Sequence, residues 1–82
     1  MNQIDATEKK RIRWRSRRGL LELDIVLERF LARGFDDLTQ AQLADYRRLL
    51  ELDDNDFLDV VNGKADLDDA ALMAIVHQLR AV

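Results

Sequence analysis

The sequence predicts an all-α fold, a compact five-helix bundle in a single domain spanning residues 1–82. Three observations predict it. Apolar residues recur at helical spacing along almost the whole chain, no segment shows the apolar–polar alternation of a strand, and proline is absent. Glycine occurs only at Gly19, Gly34 and Gly63, where the helical patterns break. Each is expected to end a helix by taking a left-handed conformation.

The first helix is expected over Asp5–Arg17, with Asp5 and Glu8 spaced as a capping box. The second runs from Leu20 to Ala32 and stops near Gly34. Its residues Leu20, Leu23, Val26, Leu27, Phe30 and Leu31 fall in one broad arc, and Leu21 with Ile25 forms a second apolar patch. A helix apolar on two sides is expected to be central, packed by several neighbours. The third starts at Thr39, again at capping-box distance from Gln42, and places Leu43, Tyr46 and Leu50 on one face. The fourth is short, Asp53–Asn62, with Asp53, Asp54 and Asp56 at the positive end of its dipole and Gly63 closing it. Phe57, Leu58 and Val61 supply its apolar face. The fifth covers Asp68–Ala81, with Leu72, Ile75, Val76 and Leu79 at helical spacing. Leu23, Leu27, Phe30, Leu50, Phe57 and Leu72 are the expected core.

Composition narrows the chemistry. Eighty-two residues build one small domain of modest stability, with little room for a walled substrate pocket beside a core. Without cysteine and with one histidine, the chain has no disulfide, no thiolate nucleophile and no zinc site of the usual ligands. Asp53, Asp54, Asp56 and Asp59 lack the central glycine and terminal glutamate of a calcium-binding EF-hand loop. His77 lies beside Val76 with nothing nucleophilic near it in sequence and is expected at the surface or its boundary. No apolar run nears the roughly 20 residues that cross a bilayer, and residues 1–18 lack the apolar centre of a secretory signal. No membrane insertion is expected. The cytoplasm is the expected address, with a mitochondrial matrix protein giving a similar sequence.

The net charge of −3 hides a strong asymmetry. Residues 1–18 hold seven basic and two acidic side chains, and residues 19–82 hold six and fourteen. Such a basic arm suits a solvated face, a protein partner or nucleic acid. Against nucleic acid stand a pI of about 5.0 and a single aromatic, Trp14, within the arm. Trp14 either packs its body onto the bundle or acts as an interface anchor between arginines. Arg18 and Glu22 are four apart and pair locally if one helix runs through them. If Gly19 breaks the helix, Glu22 falls instead in the first turn of the next one.

Trp14, then Arg17-Arg18-Gly19, then Glu22-Leu23-Asp24, resembles the signature of the succinate dehydrogenase flavin-assembly factors. These are small bacterial proteins with a mitochondrial counterpart, marked by an Arg-Gly-x-x-Glu motif. Leu49-Leu50-Glu51, followed by Asp53-Asp54 and a short helix to Asn62-Gly63, is similar to the family's second block, so the resemblance spans nearly the whole chain.

The resemblance implies a five-helix, non-enzymatic assembly factor. Its partner would be the flavoprotein subunit of succinate dehydrogenase, with fumarate reductase a further candidate client. The client attaches FAD to its own histidine, and the factor favours a competent arrangement. Carried onto this sequence, Arg18, Gly19 and Glu22 lie at the partner-binding surface, where a missing side chain at Gly19 permits close approach. Trp14 and Arg17 match the motif's surroundings. No stably bound cofactor is expected. FAD belongs to the client, and the chain has no Gly-x-Gly-x-x-Gly loop. Two rival readings are a nucleic-acid-binding regulator using the basic first helix and an antitoxin-like partner protein, the latter a label attached to the family.

Overall fold

The computed structural model describes residues 3–82, and among them it contains five α-helices, one short 3-10 turn and no strand. The helices are α1 (Ala6–Arg15), α2 (Leu21–Arg33), α3 (Gln40–Leu49), α4 (Asp54–Val61) and α5 (Ala70–Ala81). No helix among the described residues is long and apolar enough to cross a membrane.

Local chemistry sets most of the boundaries. Asp5 caps α1 by accepting from the Glu8 N–H at 2.8 Å, but only this half of the expected capping box forms. The Glu8 carboxylate turns to Arg47, 3.5 Å away, and to Arg11. α1 ends at Arg15, before the expected Arg17. The Ser16 hydroxyl there hydrogen-bonds the Ile12 carbonyl, a bond that competes with continuation of the helix. At α3 both halves of the Thr39–Gln42 box are made. Asp53 caps α4 through the Asp56 N–H. Gly63, at φ +79°, closes it, with the Gly63 and Lys64 N–H groups bonded to the Val60 and Asp59 carbonyls. That pattern is a Schellman stop. Asp69 caps α5 by accepting from the N–H groups of Ala71 and Leu72, so α5 begins slightly later than expected.

The core is one cluster. Tyr46 on α3 lies between Phe30 and Phe35, with ring centroids 5.2 and 5.8 Å away. Leu23, Leu27, Leu49, Leu50, Phe57 and Ile75 pack around this trio. α3 packs on α5, while α2 packs on both α4 and α5. Ile4 is buried as well. The Gln40 amide accepts from its N–H and donates to its carbonyl, fastening the N-terminal segment to α3.

Three expectations need correction. Leu72 packs against the core but is only partly buried, because it stands in the first turn of α5 at the bundle's margin. Gly34 has φ −129° and is not left-handed. It serves by its smallness, since a Cβ there would stand 3.1 Å from the Phe30 ring. The chain continues from it into the 3-10 turn Phe35–Asp37, which drives Phe35 into the core. The third concerns α2, which is covered on one side only. Leu21 and Ile25 are 74% and 40% exposed, so its second apolar patch faces solvent.

Candidate functional site

The residues singled out by the sequence converge on the junction between α1 and α2. Its base is buried polar chemistry. The Ser16 hydroxyl lies 2.7 Å from the Tyr46 hydroxyl and 3.0 Å from the Ile12 carbonyl. Burial pushes the Tyr46 phenol up to about 12, outweighing the opposing hydrogen bond from Ser16 and the nearby Arg18 and Arg13 charges. Beyond Ser16 the chain turns through Gly19 at φ +83°, a conformation that favours glycine. A Cβ at Gly19 would meet no heavy atom within 4 Å, so the glycine answers to the backbone angle and leaves open space above it.

Two carboxylates hold this turn. Asp24 accepts from the Arg18 N–H at 2.8 Å through Oδ1 and from the Gly19 N–H at 3.1 Å through Oδ2. The Arg18 side chain, only 14% exposed, points the other way. Its Nε donates to Asp54 at 2.9 Å, while Nη1 and Nη2 donate to the Leu50 and Leu52 carbonyls, each at 2.7 Å. The Leu50 carbonyl caps the end of α3, where a helix leaves acceptors unpaired and a cation is favoured, and the Leu52 carbonyl lies in the turn before α4. The guanidinium also sits 5.9 Å from the Phe57 ring centroid.

No helix runs through residues 16–20, Gly19 lying in the turn between α1 and α2, and the alternative Arg18–Glu22 pair does not form. Glu22 stands exposed in the first turn of α2, with no ion-pair partner among the described residues. Trp14 is 76% exposed, so of the two readings of this residue the one that packs its body onto the bundle does not hold. Arg17 is exposed too. An open groove of about 840 Å³ runs beside these residues, with Lys10, Trp14, Arg17 and Gly19 facing Glu28 and Leu31 of α2. Leu21 and Ile25 add further apolar surface on α2.

The basic arm is partly neutralised in the fold. Lys9 and Arg13 both pair with Asp36 and lie over the Phe35 ring, and Arg11 pairs with Glu8. Lys10, Arg15 and Arg17 are exposed with no ion pair among the described residues. His77 is exposed on α5. No group of three or more acidic or histidine side chains is disposed to hold a metal among the described residues. At the start of α4, Asp56 is pushed up chiefly by repulsion from Asp53.

The structure thus brings Trp14, Arg17 and Gly19 to one groove, sets Glu22 on adjoining helix surface, and turns the Arg18 side chain inward. Sequence reasoning missed what Asp24 and Asp54 do. Asp24 had a local signal, a carboxylate in the first turn of a helix that follows a glycine. Asp54 had none, because its partner is 36 positions away.

Comparison with known proteins identifies relatives of this chain. Residues 10–82 match the family model described as flavinator of succinate dehydrogenase. The chain is 41% identical over 76 residues to the FAD assembly factor SdhE of Vibrio cholerae, covering 93% of this chain and 88% of that protein. It is 38% identical to the FAD assembly factor SdhE of Ralstonia nicotianae, covering 99% and 90%. The corresponding protein of Pseudomonas aeruginosa is 37% identical, covering 92% and 89%. The matched segment takes in the α1–α2 junction and the α3–α4 turn that holds it, and the chain belongs to the succinate dehydrogenase flavinator family, whose members act as assembly factors rather than as catalysts.

Proposed function

We propose that this chain binds the flavoprotein subunit of succinate dehydrogenase and favours the arrangement in which that subunit attaches FAD to its own histidine. Trp14, Arg17, Gly19 and Glu22 form the contact surface, and Arg18 contributes by holding the turn that carries Gly19. The flavoprotein of fumarate reductase is a second client of the same surface. FAD remains the client's cofactor throughout.

The observation that carries this reading is Trp14, a large aromatic left 76% exposed beside an open groove and next to a glycine that presents bare backbone. Exposed tryptophans flanked by arginines are the residue types that anchor protein interfaces. The family's description as flavinator of succinate dehydrogenase supports taking the client from that enzyme.

The test is direct binding of the purified chain to purified, flavin-free flavoprotein subunit, followed by the covalent flavin fluorescence of that subunit. Trp14→Ala and Glu22→Ala are expected to weaken binding and flavinylation together while leaving the helical content intact. Full flavinylation by both variants at matched protein levels would remove this surface from the function.

A further inference from the structure

We propose that Asp24 and Asp54 are positioning residues for client docking, acting through Arg18 to hold the Arg17-Arg18-Gly19 turn in its presenting conformation. This rests on the reading that the turn contacts a client flavoprotein.

The turn needs external support. Between buried Ser16 and partly buried Leu20, the chain places no apolar side chain in the core. Gly19 is the residue with the widest backbone freedom, and it sits at φ +83°. The polar ties fill the gap. Asp24 uses both carboxylate oxygens on the consecutive N–H groups of Arg18 and Gly19. Asp54, with the Leu50 and Leu52 carbonyls, takes three nitrogens of the Arg18 guanidinium. Arg18 is thus fixed at its backbone by α2 and at its tip by the α3–α4 turn. Charge-assisted bonds of this kind are stronger than neutral ones, and the Arg18 side chain is mostly screened from water.

Such a latch acts through population. A client that docks on the presenting conformation sees an affinity reduced by the fraction of molecules holding it. If losing one carboxylate lowers that fraction to about one tenth, the dissociation constant rises about tenfold with no client contact removed. Asp24 and Asp54 are separated by 30 positions and tie opposite ends of one residue, so their removal should produce the same loss.

The experiment compares Asp24→Ala, Asp54→Ala, Asp24→Asn and Trp14→Ala with the unaltered chain. Thermal melts and far-ultraviolet circular dichroism establish that each is folded at the working temperature. Amide hydrogen exchange by NMR reads the Arg18 and Gly19 N–H groups, and calorimetry reads affinity for the flavin-free flavoprotein subunit. The expected result is faster exchange at those two amides in both alanine variants, with a matching rise in dissociation constant. Asp24→Asn, which keeps one acceptor, should fall between. Faster exchange with unchanged affinity overturns the proposal, as does weaker affinity with unchanged exchange, which would make the carboxylates direct contacts. Affinity lost in Trp14→Ala but kept in both alanine variants refutes the latch alone. An unaltered chain that does not bind the flavoprotein refutes the client reading and the latch with it.

Discussion

At Gly19 the demands of the fold and of a partner differ in a measurable way. The residue sits at φ +83°, and the space where a Cβ would stand is empty to 4 Å. A substitution therefore meets no clash inside the fold, only the backbone strain of an L residue in the left-handed region. That strain is about 1–2 kcal/mol. In a domain of this size, 1 kcal/mol lowers the melting temperature by roughly 4–8 °C. Gly19→Ala and Gly19→Arg share the same backbone strain, so their melting temperatures should fall together. Gly19→Asn should fall less, because asparagine tolerates this conformation better.

Function should divide the three differently. Arginine projects a long cation over the groove that Trp14 and Arg17 line, whereas asparagine adds little bulk. Covalent flavin content of the client, measured in cells lacking the native factor and matched for folded variant, should be near normal with Gly19→Asn and largely lost with Gly19→Arg. Gly19→Ala should lie between. If alanine and arginine reduce flavinylation equally and in step with their melting temperatures, Gly19 matters only to the fold. If all three restore it fully, the turn is not a contact surface.

Two further outcomes are expected. The Tyr46 phenol is raised from 10.0 to about 12 in the folded chain, so the stability linked to its protonation is fully present below pH 10 and is lost as pH rises from 10 toward 12. Ultraviolet titration should show no phenolate in the folded protein at pH 10, and Tyr46→Phe should remove this part of the alkaline destabilisation. Because Lys10, Arg15 and Arg17 are exposed and unpaired among the described residues, raising salt should slow association with the flavoprotein more than it speeds dissociation. Stopped-flow rates unchanged between low and high salt would show that the arm does not steer.

Much of the fold was legible because each helix carries its own signals. Thr39 and Gln42 complete a capping box three residues apart in sequence, and Gly63 stops α4 by a motif contained within six residues. These are local bonds, and a linear reading reaches them. The 3-10 turn Phe35–Asp37 is too short to show periodicity, so nothing announced that Phe35 enters the core. Leu21 and Ile25 misled for the opposite reason. Their helical spacing is the same whether a neighbour covers them or solvent does, and only the packing of α2 on α4 and α5 decides which. Apolar periodicity predicts a buried face, and a docking face has the same periodicity.

The site was legible as a set of residues but not as a mechanism. In the sequence, Arg17-Arg18-Gly19 with Glu22-Leu23-Asp24 forms one block, and Leu49-Leu50-Glu51 with Asp53-Asp54 forms another. Arg18 was expected at the partner-binding surface because the resemblance carries the motif's arginine there. It turns inward because the end of α3 and the turn before α4 leave carbonyls unpaired and the start of α4 supplies Asp54, so the guanidinium exchanges water for three acceptors. Each of those bonds spans more than 30 positions, beyond any spacing rule for a single helix. The two blocks are then one unit. The second holds the arginine of the first, and the first presents the glycine.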